Sequence, residues 1–148
     1  MKSKITSLII LCTLVLTSSC TKSGKLAKRL VGIWNIDMYT ETKNGKTQST
    51  PNVGSIEFKD DGTGIWTTVS TSTFGGMTNT TTYTMTFYWQ NTGASLSTII
   101  SGGTDYYVIT TNESNKQVWE QSSSTTSQTN GGTMTTTTST DKYELSKK

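Results

Sequence analysis

Ten carboxylates, two cysteines and no histidine limit the chemistry open to this 148-residue chain. Without His there is no Ser-His-Asp triad and no His-ligated zinc. Glycosidic chemistry by paired carboxylates needs two acids facing each other across a set gap. Here the acids are scattered, and Asp37, Glu57, Asp60, Glu120 and Glu144 fall mostly on the polar faces of alternating runs. The densest acidic stretch, Asp60-Asp61-Gly62-Thr63-Gly64, has the look of a calcium loop. Calcium takes six or more oxygens, with acids at spaced positions. Two adjacent carboxylates before one turn Gly read more simply as a hairpin. The expectation is therefore no catalytic residue, no metal site, no cofactor and no enzyme activity. Of the 13 basic residues, Lys2 and Lys4 fall in an apolar leader, leaving 11 against 10 acids. That balance is no electrostatic footprint for nucleic acid.

The leader runs from the basic start Met1-Lys-Ser-Lys4 into an apolar stretch over 5–16, broken only by Thr6, Ser7 and Thr13. It is too short to span a bilayer, which takes about 20 residues, and suits the h-region of a secretory signal. Thr17-Ser18-Ser19 and Cys20 follow, which resembles the lipobox of bacterial lipoproteins. The Leu usually three residues before the Cys is replaced by Thr17, with Leu16 one step earlier. The resemblance implies a signal peptide over 1–19, removed before a Cys20 that carries three acyl chains. The alternative is an ordinary signal peptide with a Cys by chance. Each buried CH₂ contributes about 0.8 kcal/mol and one chain binds only marginally, so several are needed for a stable anchor. With Cys12 in the leader and Cys20 acylated, no thiol remains for a disulfide or metal site. Residues 20–29 read as the lipidated Cys and a polar, basic tether, with at most one helical turn at Leu26 to Leu30. Surface-export signals of Bacteroidota-type lipoproteins resemble acidic runs after the Cys. None follows Cys20, which favours the periplasmic face of the outer membrane.

The elements that would position any site are strands. Residues 20–148 contain 30 Thr and 15 Ser, a composition also seen in glycan-bearing stalks. Stalks are Pro-rich, however, and this chain has one Pro, while its β-branched Thr residues alternate with large apolar ones. Turn signals at Asn44-Gly45, Asp61-Gly62, Gly75-Gly76, Thr92-Gly93, Gly102-Gly103, Asn112 to Asn115 and Asn130-Gly131-Gly132 separate eight β-type runs. The runs cover 31–42, 55–59, 63–73, 78–90, 95–101, 104–111, 116–127 and 133–146. Eight strands joined by hairpins predict an all-β, antiparallel up-and-down barrel over 30–148, which removes exposed edges. Uneven strand lengths leave an incompletely closed barrel, or a two-sheet sandwich, as the alternative.

Alternation assigns the faces. Trp34, Ile36 and Met38 share one side of the first strand, and Tyr83, Met85, Phe87 and Trp89 one side of the fourth. Ile56 with Phe58, and Tyr143 with Leu145, complete the expected core. Trp66, Tyr88, Trp119 and the Tyr106/Tyr107 pair also need places, and one of each adjacent aromatic pair must point outward.

The first run reads Leu30-Val-Gly-Ile-Trp-Asn-Ile. Its Gly32-x-Trp34 resembles the Gly-x-Trp signature of the lipocalin family. Asp60 to Trp66 and the closing Lys142-Tyr-Glu-Leu look like bacterial lipocalin-like domains carried on lipoproteins. The resemblance implies that Trp34 closes the barrel floor under a basic residue of the last strand, for which Lys147 is the candidate. It also implies a mouth at the far end, away from the membrane anchor. On this reading Met38, Phe58, Met85 and Phe87 line a site for a small apolar or amphipathic molecule. The 43–51 loop, Phe74 and Met77, and the 122–133 hairpin form its rim, with Phe74 and Met77 as contact candidates. The competing expectation is an envelope interaction module with a filled core, contacting protein or glycan.

Overall fold

The computed structural model describes residues 21–128 and 134–148. The leader 1–19, Cys20 and the Asn130-Gly131-Gly132 turn lie outside the described residues. One helix, α1 (Lys22–Leu30), precedes eight strands: β1 (Gly32–Lys43), β2 (Lys46–Phe58), β3 (Thr63–Phe74), β4 (Met77–Asn91), β5 (Ser95–Ile100), β6 (Gly103–Asn112), β7 (Lys116–Gln128) and β8 (Met134–Lys147). Each strand pairs antiparallel with the next, and β8 returns to β1, closing an up-and-down barrel. The seam is long: β1 and β8 pair from Trp34↔Lys147 to Lys43↔Ser139. The open-seam alternative is therefore not what the chain adopts.

Apart from the start of β2, the strand boundaries lie within one residue of those expected. The 43–51 segment, expected as a loop, is strand on both sides of the Asn44-Gly45 turn. β2 meets β3 only from Gly54↔Thr68 to Phe58↔Gly64, so its first half has β1 on one side and no β3 partner on the other. Such an edge tolerates Pro51. β4 likewise meets β5 only from Tyr88↔Ile99 to Asn91↔Leu96, and beyond the Thr68↔Tyr83 pair the β3–β4 hairpin stands out as a two-stranded ribbon.

One end of the barrel holds the β2–β3, β4–β5 and β6–β7 turns together with α1. Ser23 Oγ donates to the Asn91 carbonyl at 3.1 Å, and an Arg29 guanidinium N–H donates to the Asn112 carbonyl at 2.7 Å. This end is the floor. The segment expected as a tether is thus a helix folded across it. Thr21 caps it, its Oγ1 accepting from Gly24 N at 3.1 Å, and Leu26 and Leu30, one turn apart, are both fully buried. Lys28 and Arg29 lie in the last turn, where the helix dipole favours cations.

Above α1 the barrel is packed solid. Phe58 is the hub, with ring centroids 5.4 Å from Phe87, 5.4 Å from Trp89 and 5.5 Å from Trp119, all edge-on. Trp34, Ile36, Ile56, Leu96 and Leu145 fill the remainder. Each such side chain contributes roughly 1.5–3 kcal/mol through burial, enough together to hold a domain without disulfides. Polar groups of the floor are paired: Trp89 Nε1 donates to the Lys59 and Thr63 carbonyls, and Gln117 donates to Asn112 Oδ1 at 2.8 Å and the Glu113 carbonyl.

The alternation expected for β1 fails after Ile36. Its register shifts between Ile36 and Met38 against both β2 and β8. A bulge adds one residue and exchanges the faces beyond it. Tyr39, not Met38, therefore continues the inward row above Trp34 and Ile36.

Candidate functional site

Gly32, Trp34 and Lys147 come together at the floor. Gly32 has φ +123°, a conformation only Gly adopts freely, and a Cβ there would lie 3.1 Å from Lys147 Cε. Trp34 Nε1 donates to the Leu30 carbonyl at 2.7 Å. Lys147 Nζ lies 5.2 Å from the Trp34 ring centroid and donates to the carbonyls of Arg29 and Val31, each at 3.0 Å. Lys147 thus ties the last strand, the end of α1 and the first strand into one closure.

Above the packed floor the strands diverge and a cavity of about 330 Å³ opens. That lies at the small end of ligand pockets, roughly 300–1,000 Å³. Its walls carry four aromatic side chains: Tyr39 from β1, Trp66 from β3, Tyr107 from β6 and Tyr143 from β8. Tyr143 is their centre, with ring centroids 5.0 Å from Tyr39, 5.4 Å from Trp66 and 5.9 Å from Tyr107. Met85, Val53, Val69 and Ile100 supply aliphatic surface, and Asp105 the one charged side chain.

The polar edge is acidic. Tyr39 Oη donates to Asp141 Oδ1 at 2.8 Å, and Gln121 Nε2 donates to Asp105 Oδ1 at 2.9 Å. Burial, then this hydrogen bond, pushes the Tyr39 phenol above its ordinary value. Burial likewise raises Tyr107 and Tyr143, and the negative charges of Asp105 and Asp141 add to it. Three phenols are therefore held as neutral hydroxyls beside two carboxylates. The Thr98 hydroxyl, fully buried on β5, has no well-formed hydrogen bond.

Of the residues expected to line a ligand site, Met85 reaches the cavity. Phe58 and Phe87 lie below it, locked edge-on in the floor, and Met38 is displaced from the inward row by the bulge. Phe74 and Met77 pair across the tip of the β3–β4 ribbon, 90% and 77% exposed. Of the adjacent aromatic pairs, Tyr107 and Trp89 turn inward, while Tyr106 and Tyr88 stand out on the barrel wall. Tyr143 stood among the expected core residues, but sequence reasoning did not join it with Tyr39, Trp66 and Tyr107. Depth along the barrel, which separates a filled floor from an open cavity, is not encoded in period-2 alternation.

Among the described residues no three His, Cys, Asp or Glu side chains are grouped to hold a metal ion, and no helix is long and apolar enough to cross a membrane. The fold and site define an antiparallel eight-stranded barrel with a plugged floor and an aromatic-walled cavity above it. Comparison with known proteins finds no matching family model, no matching curated protein and no matching solved structure.

Proposed function

We propose that this protein is a lipid-anchored, lipocalin-like binding protein that holds a small amphipathic molecule in the upper half of its barrel. The observation that carries the reading is the cavity over a solid floor. The chain fills its lower half with interlocked rings, yet leaves Tyr39, Trp66, Met85, Tyr107 and Tyr143 around open volume. Burial of ligand area against these walls supplies affinity, and the phenol hydroxyls supply orientation. The reading assigns no catalytic residue. The leader places acylation at Cys20, next to the cap residue Thr21. Only one residue then separates the lipid from the first turn of α1, so the floor lies against the membrane and the cavity opens away from it. The absence of an acidic run after Cys20 favours the periplasmic face of the outer membrane.

Native mass spectrometry of the full-length lipoprotein, extracted from its own membrane, tests this. A reproducible extra mass that leaves on unfolding is the expected result. A bare barrel would overturn it and favour the second reading, an envelope interaction module. For that reading the specific observation is the apolar Phe74–Met77 tip, raised on the β3–β4 ribbon.

A further inference from the structure

The cavity walls favour one charge class of ligand. Ring faces carry the negative end of an aromatic quadrupole and attract cations, most strongly when the cation is desolvated between several rings. Four rings meet here around Tyr143. Asp105 lines the same cavity, and Asp141 accepts the hydrogen bond of the Tyr39 hydroxyl. Neither carboxylate has a Lys or Arg ion-pair partner among the described residues: their side-chain partners are the uncharged Gln121 amide and the Tyr39 hydroxyl. The single ion pair among the described residues, Lys142 with Glu144, belongs to the other face of β8, adjacent in the strand to inward-facing Tyr143. Among the described residues no Lys or Arg lines the cavity.

These facts discriminate among amphipaths. A fatty-acid carboxylate would meet the like charge of Asp105, with that of Asp141 one hydrogen bond beyond Tyr39. A neutral alcohol would leave these charges unused. An alkylammonium head satisfies the rings and the carboxylates together, and its chain has Met85, Val53, Val69 and Ile100 to lie against. Resting on the binding reading above, we infer that the cavity takes an amphipathic organic cation, its ammonium or quaternary ammonium group seated among Tyr39, Trp66, Tyr107 and Tyr143 beside Asp105.

A matched series tests it: octyltrimethylammonium, octanol and octanoate, each titrated against the full-length protein in a non-ionic amphipol, with empty amphipol as blank. Calorimetry and Trp fluorescence read binding. The cation is expected to bind at least about tenfold tighter than either other probe, as the ring and charge contributions together imply. Asp105→Asn, close to isosteric, is expected to remove most of that margin by weakening the cation relative to octanol. Octanol or octanoate binding as tightly as the cation would overturn the charge assignment and leave the amphipath-binding reading intact. A cation preference untouched by Asp105→Asn and by Asp141→Asn would also overturn it. Binding by none of the three probes would remove the binding reading itself.

Discussion

Lys147 Nζ stands 5.2 Å from the centre of the Trp34 ring, and the same ammonium donates to the Arg29 and Val31 carbonyls. One side chain thus serves a ring of β1 and the exposed carbonyl end of α1. Removing it deletes a cation–π contact and a helix-end cation together. Lys147→Met should destabilise the barrel by about 1–2 kcal/mol. Lys147→Arg, which keeps both interactions available, should recover most of it. Urea unfolding followed by Trp fluorescence measures both variants; equal losses for Met and Arg would contradict the assignment.

Leu26 and Leu30 test whether α1 is part of the fold or a mere leash. Both are fully buried beneath the floor, and the Leu30 carbonyl accepts the Trp34 indole N–H. Leu30→Ala should cost about 2–5 kcal/mol, as large-to-small changes in a tight core do. Lys25→Ala, on the exposed side of the same helix, should change stability by less than about 0.5 kcal/mol. Thermal melts of the two variants give the contrast, and similar melts would return this segment to tether status.

The strands were legible because the described turns between them are two to four residues long and carry Gly or Asn, which leaves few other readings. α1 was not. Lys22-Ser-Gly-Lys-Leu-Ala-Lys-Arg-Leu30 offers only two large apolar residues and a Gly in its first turn, too little for a periodic signal. Its helicity comes from what Leu26 and Leu30 pack against, a tertiary cause. The Met38/Tyr39 exchange was hidden for a different reason: one bulged residue reverses every later face, and nothing in Ile36-Asp37-Met38-Tyr39 announces it. The same bulge carries Tyr39 to the cavity, so the missed feature and the missed site residue are one event.

Gly54 marks where the barrel stops being closed by β3. It pairs with Thr68 as the last β2–β3 partner, at φ +144°, and a Cβ there would lie 1.9 Å from the Thr67 carbonyl oxygen. Backbone cannot yield as a side-chain tip can. Gly54→Ala should therefore cost at least about 3 kcal/mol, at the level of severe single changes. Gly103→Ala meets nothing closer than 3.6 Å and should stay within about 0.5 kcal/mol of the parent. Denaturation midpoints of the pair decide it; a mild Gly54→Ala would mean that β2 and β3 can separate at this point without loss.

The cavity tyrosines set the behaviour of the fold in alkali. Burial, reinforced by Asp105 and Asp141, holds the Tyr107 and Tyr143 phenols above their unfolded value of 10.0. A group raised in the folded state stabilises fully below its unfolded pKa, and that stability drains away as pH rises towards the folded one. Above about pH 10 the unfolded chain releases protons that the folded chain retains, at about 1.4 kcal/mol per pH unit for each group. Stability should therefore fall steeply from pH 10 upward, before the folded tyrosines ionise. Tyr143→Phe should flatten the slope by one group's share, and Tyr143→Phe with Tyr107→Phe by two. Tyr106→Phe, on the outer wall, is the control for loss of a tyrosine hydroxyl away from the cavity. Urea midpoints from pH 9 to 11.5 provide the test. Equal flattening by Tyr106→Phe would show that general charge, not the buried aromatic group, governs the decline, and would remove the physical basis for treating Tyr107 and Tyr143 as neutral walls of the cavity.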